Sequence, residues 1–165
     1  MTRDIIKTLS ALKAGDELFL FKVGSALQLK RDGRPVVILT MGIASGAMRP
    51  LVLSYARDQA GIPAMHSITV NRQTDYPFRA ELEAMSLPHL TLEHVTNRTA
   101  YRTAIASLSL DDNPWFLIVG SDDFLQESIM ALYARGVATD AMVVDLKPEK
   151  RDALLARLGL IDAVE

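Results

Sequence analysis

The chain has 165 residues, of which 49% are hydrophobic and 23% are charged, a balance typical of a globular protein with a sizeable core. Its net charge of −2 excludes an overall basic field for nucleic acid or acidic lipid, and the absence of cysteine excludes disulfides, thiolate catalysis and cysteine-ligated iron–sulfur clusters. No apolar run approaches the roughly 18 residues of a membrane span, so we expect a cytoplasmic protein with neither a nucleic-acid nor a membrane partner.

Residues 1–34 have the pattern of a small antiparallel piece. Apolar spacing predicts a short helix over Thr2–Leu12, and strand-like runs at Glu17–Val23 and Ala26–Lys30 predict a β-hairpin. This piece is too short to enclose a core by itself. We therefore predict a domain boundary after it, with residues 35–165 forming the main domain.

From residue 36 the sequence alternates between helix-like segments and short apolar runs, and such runs are typical of parallel strands buried on both faces. The alternation predicts a five-stranded parallel doubly wound α/β sheet with helices covering both faces. The predicted strands are Val36–Thr40, Ser67–Val70, Leu90–Val95, Trp115–Val119 and Met142–Leu146. The core-facing helix positions include Leu51, Tyr55, Phe78, Leu82, Met85, Tyr101, Ile105, Ile129, Leu132 and Leu154.

A glycine-bearing turn follows the first predicted strand, beyond the carboxyl end where open α/β sheets bind ligands. There Thr40 leads into Gly42, Ala44 and Gly46. These small residues let a backbone approach a phosphate closely, and a helix start adds partial positive charge. The turn matches neither the dinucleotide fingerprint nor a P-loop, so tight strand-to-helix packing is the alternative interpretation.

Two Asn-Arg pairs follow the second and third predicted strands. Asn71-Arg72 and Asn97-Arg98 each offer an amide and a guanidinium, which suit ribose hydroxyls and a phosphate. Because the carboxyl ends of parallel strands share one edge of the sheet, both pairs fall where a ligand would bind. Solvated surface arginines are the alternative interpretation.

Gly120-Ser121 opens the segment after the fourth predicted strand. Ser121 is expected to cap the following helix, and Asp122 and Asp123 would complement the helix dipole. The three histidines lack metal-ligand spacing, and neither a nucleophile elbow nor an acid/base pair of carboxylates stands out. We therefore assign no catalytic residue and no metal ligand, and expect a cofactor to supply any chemistry.

Three motifs occur in order along the chain: Leu-Lys-x-Gly-Asp-x-Leu at 12–18, Gly-Ile-Ala followed by Met-Arg within 42–49, and Asn71-Arg72 followed by Phe-x-x-Glu-Leu-Glu at 78–83. In this order they resemble the ferredoxin–NADP reductase superfamily, whose flavin-dependent members shuttle electrons between a nicotinamide and a protein or small acceptor. The resemblance extends over about residues 5–146. It implies a remnant of the flavin-binding barrel at the N-terminus and an NAD(P)-binding α/β domain after it.

The same resemblance implies NADP or NAD as the cofactor, with FAD only where the missing barrel is supplied elsewhere. Arg72 and Arg98 suit a 2′-phosphate, which would favour NADPH over NADH. The residues implied to bind the dinucleotide are Thr40, Gly42 and Ala44 at the pyrophosphate, Asn71, Arg72 and Arg98 at the adenosine end, and Gly120 and Ser121 near the nicotinamide.

The sequence also departs from the family pattern. Most of the barrel has no counterpart, Ala44 and Ala47 replace a glycine and a proline, and Val119-Gly120-Ser121 replaces Cys-Gly-Pro. An incomplete barrel leaves open sheet edges, which proteins normally pair or cover. We therefore expect the N-terminal β edge to be covered by a flavin-bearing chain or by self-association, and flavin to be retained weakly or not at all.

Three functions compete. The leading hypothesis is an NAD(P)H-binding module of a flavin-dependent oxidoreductase, passing electrons between nicotinamide and a flavin or protein acceptor. The alternative is a degenerate, non-catalytic domain of the same fold that acts as an interaction or regulatory module. Another α/β nucleotide binder, such as a transferase, is the third, because one doubly wound sheet hosts many chemistries.

Overall fold

A computed structural model describes residues 10–17, 25–73 and 78–162. Within these ranges, five strands form one sheet in the order β3-β2-β1-β4-β5, and every neighbouring pair is parallel. The predicted five-stranded parallel sheet is therefore confirmed. The strands are β1 Val36–Met41, β2 Met65–Val70, β3 Leu90–Val95, β4 Trp115–Val119 and β5 Met142–Val144.

Five helices in the described ranges follow the strands. None of them is long and apolar enough to cross a membrane. A six-residue 3-10 helix, Gly42–Ala47, joins β1 to the first of them, and a second 3-10 helix spans Thr139–Ala141. The α-helices are α1 Met48–Arg57, α2 Arg79–Glu83, α3 Arg98–Ser107, α4 Asp122–Tyr133 and α5 Pro148–Arg157.

The sheet separates two apolar layers, as the doubly wound prediction requires. Residues of α1 and α2 pack on one face, where Tyr55 and Leu82 are buried against Ile38 of β1. Residues of α3, α4 and α5 pack on the other face, together with Leu39 and Phe116. Burial on both faces explains why β1 is an unbroken apolar run rather than an alternating one.

The N-terminal connecting segment, residues 25–35, crosses the first of these faces. All of it is described and it contains no strand, so the predicted strand over Ala26–Lys30 is wrong. The segment is held by contacts with side chains and not by strand pairing. Ala26 N donates to Asp145 Oδ1 (3.1 Å), and Leu27 packs in the apolar layer that contains α1. The predicted strand Glu17–Val23 and helix Thr2–Leu12 lie almost entirely outside the described residues.

Helix α2 is shorter than the apolar spacing of Phe78, Leu82 and Met85 predicts. It spans only five residues, and Phe78 precedes it with a φ of 67°, in the left-handed region. Leu82 is buried and anchors the helix to the α1 layer. The predicted helix is therefore present, but Phe78 lies before it and is 48% exposed, so its predicted core-facing position is wrong, and Met85 lies beyond the end of the helix.

Candidate functional site

A cleft opens at the carboxyl ends of β1, β2 and β3. Its volume is about 720 Å³, within the range of about 300–1,000 Å³ that is usual for small-molecule sites. We call it the carboxyl-edge cleft. Its lining residues are Met41, Gly42, Val70, Asn71, Arg72, Gln73, Thr96, Asn97, Arg98 and Thr99. Four of the eight predicted cofactor-binding residues are among them.

Gly42 begins the 3-10 helix at the end of β1. Its φ of 60° lies in the left-handed region, where a residue with a Cβ is strained. A Cβ built there meets no heavy atom of the described chain within 4 Å, so the glycine is favoured by its backbone conformation and not by crowding. The backbone at this point therefore faces open space in the cleft.

Asn71 and Arg72 form the second wall of the cleft. Asn71 N donates to Val95 O (3.0 Å), which extends the β2–β3 ladder, and Asn71 Oδ1 accepts a hydrogen bond from Gln73 N (3.1 Å). The Asn71 side chain thus shapes the turn that carries Arg72. Arg72 is exposed and contacts no carboxylate of the described residues. Within the described structure, its positive charge in the cleft is therefore uncompensated.

Arg98 also lines the cleft, but its charge is compensated. Its Nη1 donates to Glu127 Oε2 on α4, and its guanidinium lies 5.8 Å from the centroid of the Phe124 ring. Glu127 Oε1 accepts a second hydrogen bond, from Arg102 Nε (2.6 Å). One carboxylate therefore binds two arginines of α3, an interaction that sequence reasoning missed.

The N-terminus of α3 points into the cleft. Asn97 caps the helix, and its Oδ1 accepts a hydrogen bond from Ala100 N (2.9 Å). Thr96 and Thr99, on either side of the cap, line the cleft. Because the first backbone amides of a ten-residue helix carry partial positive charge, this end of α3 favours an anion. The amide side chain of Asn97, expected to suit a ribose, is committed to capping through its oxygen.

The remaining predicted residues lie at the same edge of the sheet but do not line the cleft. Thr40 is fully buried, and its Oγ1 lies 3.1 Å from Thr69 Oγ1, so it belongs to the core. Ala44 lies half-buried in the 3-10 helix. Ser121 caps α4, with its Oγ accepting from Phe124 N (3.4 Å), which confirms the capping interpretation.

Packing explains Gly120. A Cβ there would lie 2.4 Å from Phe124 Cδ1, a distance that real side chains do not adopt. Gly120 follows β4, whose Val119 pairs with Thr40 of β1, so it stands beside the start of the 3-10 helix. A glycine at this position leaves room for the Phe124 ring in the core. Packing alone therefore explains the glycine, without a ligand.

Ser45, in the middle of the 3-10 helix, was not predicted as a site residue. It is fully buried, and its Oγ has no hydrogen-bond partner in the described structure. Leaving a buried hydroxyl unsatisfied costs about 1–3 kcal/mol. The sequence marks Ser45 only as one small residue among several, so its burial could not be read from the pattern.

The described histidines do not gather at the cleft. His66, the second residue of β2, has its Nε2 3.1 Å from Glu93 Oε2 in the middle of β3, and no histidine of the described chain lines the cleft. No group of three or more histidine, aspartate or glutamate side chains in the described ranges is arranged to hold a metal ion. The groups that do line the cleft, two arginines and the N-terminus of a ten-residue helix, suit an anion.

The fold and the cleft together define an α/β parallel-sheet domain with a positively charged cleft at its carboxyl edge. Searches of protein-family models, curated proteins and solved structures each found no match to this chain. Function is therefore inferred from the residues of the cleft.

Proposed function

We propose that this chain is an NAD(P)H-binding module of a flavin-dependent oxidoreductase of the ferredoxin reductase type. The observation that carries the proposal is the cleft itself, in which Gly42, Arg72, Arg98 and the N-terminus of α3 meet at the carboxyl edge of a parallel sheet. Open α/β sheets bind nucleotides at this edge, beside the point where strand order reverses. Here the reversal lies between β1 and β4, so the cleft adjoins it at Met41 and Gly42 and extends away from it along the ends of β2 and β3.

The donors of the cleft fit the phosphates of a dinucleotide. Backbone amides of the turn that starts at Gly42 and of the start of α3 suit the pyrophosphate, and Arg72 offers a guanidinium that no described carboxylate pairs. The hydroxyl of Ser45 is fully buried and does not line the cleft, so it is not counted among these donors. A bound nicotinamide would supply the hydride chemistry, and the residues of this chain would bind and orient it.

The contributions of the predicted residues are unequal. We assign phosphate recognition mainly to Gly42 and Arg72, since Thr40 is buried in the sheet and Arg98 is paired with Glu127. A charge-assisted arginine–phosphate hydrogen bond contributes about 1.5–3 kcal/mol, which corresponds to roughly a ten- to hundredfold difference in affinity. Arg72 beside a 2′-phosphate would make NADPH the preferred dinucleotide.

Calorimetric titration of the purified protein with NADPH and then NADH tests the proposal, with an absorbance spectrum recorded first to detect flavin. We expect micromolar binding of at least one dinucleotide, and a loss of about ten- to hundredfold in NADPH affinity for Arg72→Ala. Arg57→Ala, which removes an exposed arginine from the end of α1 outside the cleft, is the matched control. Absence of binding by the wild type up to millimolar concentration would refute the proposal.

A non-catalytic module of the same fold, acting in protein interaction or regulation, is the second candidate. The observation that favours it is Ile43, whose side chain is 90% exposed on the turn beside Gly42. An apolar side chain this exposed suits contact with another polypeptide better than contact with a phosphate. The same titrations separate the two candidates, because a purely interacting module binds neither dinucleotide.

A further inference from the structure

We propose that Glu127 lowers the affinity of the carboxyl-edge cleft for phosphate, because it compensates the charge of Arg98. The inference rests on the proposed dinucleotide-binding function. Glu127 lies in the second turn of α4 and does not line the cleft, so it acts through Arg98.

The geometry sets Glu127 directly behind the cleft. Its side chain is only 17% exposed, and its two carboxylate oxygens accept hydrogen bonds from Arg98 and Arg102. Arg98 alone of these two arginines lines the cleft. The carboxylate therefore joins a residue of the candidate site to one outside it.

The charges explain the expected effect. With Glu127 ionised, Arg98 presents a guanidinium whose positive charge is largely balanced at close range, and Arg72 remains the main cationic side chain of the cleft. A phosphate must then compete with the Glu127 carboxylate for the guanidinium of Arg98. Neutralising Glu127 should therefore strengthen phosphate binding.

Glu127→Gln is the informative variant, because an amide keeps a hydrogen-bond acceptor for Arg98 while the negative charge is removed. We expect E127Q to bind NADPH and inorganic pyrophosphate about three- to tenfold more tightly than wild type, the order expected for one charge acting across partly solvated protein. The gain should shrink as ionic strength rises, since salt screens exposed charges.

Two further variants isolate the role of Arg98. Arg102→Gln removes the other arginine from the same carboxylate and leaves the lining of the cleft intact, so it should not tighten binding. The double variant R98Q/E127Q should bind phosphate no more tightly than R98Q alone, because the arginine that the E127Q substitution releases is then absent. A gain that persists in the double variant would overturn the inference.

Titrations of these proteins with NADPH and with pyrophosphate separate the possible failures. If the wild type binds NADPH and E127Q binds it no more tightly, the inference is wrong and the proposed function stands. If pyrophosphate binding tightens in E127Q but no protein binds a dinucleotide, the inference holds and the proposed function is wrong. If neither probe binds any of the proteins, both are wrong.

Arg98→Gln provides a test that does not depend on the folding of E127Q. Because Glu127 already compensates Arg98, R98Q should weaken NADPH binding by less than Arg72→Ala does. Thermal unfolding of each variant confirms that the comparison is made on folded protein. An equal or larger loss for R98Q would contradict the inference.

Discussion

Two Asn-Arg pairs stand after neighbouring strands of the sheet and occupy different environments. After β2, Asn71 shapes an irregular turn and Arg72 stays exposed, without a carboxylate partner among the described residues. After β3, Asn97 caps a ten-residue helix and Arg98 is bound to Glu127 on the next helix. The two pairs differ because a helix that starts at once brings its arginine against a neighbouring helix, whereas a turn does not.

The region after β3 is therefore a packed interface, and the region after β2 is a surface. Substitutions that remove apolar contacts should therefore lower the free energy of unfolding much more in the region after β3 than in the region after β2. Phe124 of α4 is fully buried, with its ring 5.0 Å from that of Tyr101 and within 5.8 Å of the Arg98 guanidinium. Phe78, beside the region after β2, is 48% exposed.

We expect Phe124→Ala to lower the free energy of unfolding by about 3–5 kcal/mol, because it removes a buried ring and leaves a cavity. Phe78→Ala, the matched control, should cost much less, since about half of this residue is already exposed to solvent. Urea denaturation of both variants measures the two values. Similar losses would show that the two regions do not differ in the way described.

The interface after β3 also contains two linked, buried hydrogen bonds. Tyr101 Oη lies 2.6 Å from Ser128 Oγ, which itself donates to Phe124 O (2.6 Å). Burial raises the pKa of Tyr101 well above its ordinary value of 10.0, although the Ser128 hydrogen bond and Arg98 act in the opposite direction. Since the folded state resists ionisation of this phenol, its stabilising contribution is present below about pH 10 and is lost as pH rises further.

Wild-type stability should consequently fall above pH 10 by about 1.4 kcal/mol per pH unit more than that of Tyr101→Phe. Comparing slopes rather than absolute values removes the cost of the lost hydroxyl. Equal slopes for wild type and Y101F would mean that Tyr101 ionises as readily in the folded protein as in the unfolded chain.

Substituting the two asparagines should give a smaller difference in stability between the two regions. Asn97→Ala should cost about 1 kcal/mol, because it removes the side-chain cap of α3, while Asn71→Ala should cost a few tenths, because it removes only a turn hydrogen bond. Thermal or urea unfolding of both variants under the same conditions gives the comparison. An Asn71→Ala loss as large as that of Asn97→Ala would refute it.

The sequence predicts the sheet better than the site, for a physical reason. Burial of β1 and β4 on both faces leaves apolar runs that can be recognised locally, and Asn97 and Ser121 cap their helices within three residues. The Arg98–Glu127 pair joins residues 29 positions apart and depends on how α3 and α4 pack. No local pattern contains that information, so the sequence does not distinguish Arg72 from Arg98 as a phosphate ligand.

Other errors have the same origin. Ala26–Lys30 has the composition of a strand, but contacts with Asp145 and burial of Leu27 against α1 decide its path. Thr40 precedes the glycine turn, yet its hydroxyl faces Thr69 inside the sheet. The direction of a side chain near the end of a strand decides between core and cleft, and the motif after the strand does not give it.

Acid pH should test the exposed contact between α1 and α2, beside the region after β2, and its effect is the smallest expected. Arg49 donates to both carboxylate oxygens of Glu81, each at 2.7 Å. This hydrogen bonding lowers the pKa of Glu81 below its ordinary 4.5, although burial opposes it, and a still smaller charge attraction from Arg49 acts in the same direction as the hydrogen bonds. The pair therefore stabilises the fold above about pH 4.5, and its contribution is lost as pH falls through the lowered pKa.

Thermal midpoints measured between pH 6 and pH 3 should decline slightly more for wild type than for Glu81→Gln, which lacks this titration. Arg49→Gln is the companion variant, since it removes the donor that lowers the pKa of Glu81, and it should show the same shallower decline as E81Q. A wild-type curve parallel to that of E81Q would show that the Arg49–Glu81 contact adds no acid-sensitive stability, which would make the surface after β2 weaker still in comparison with the interface after β3.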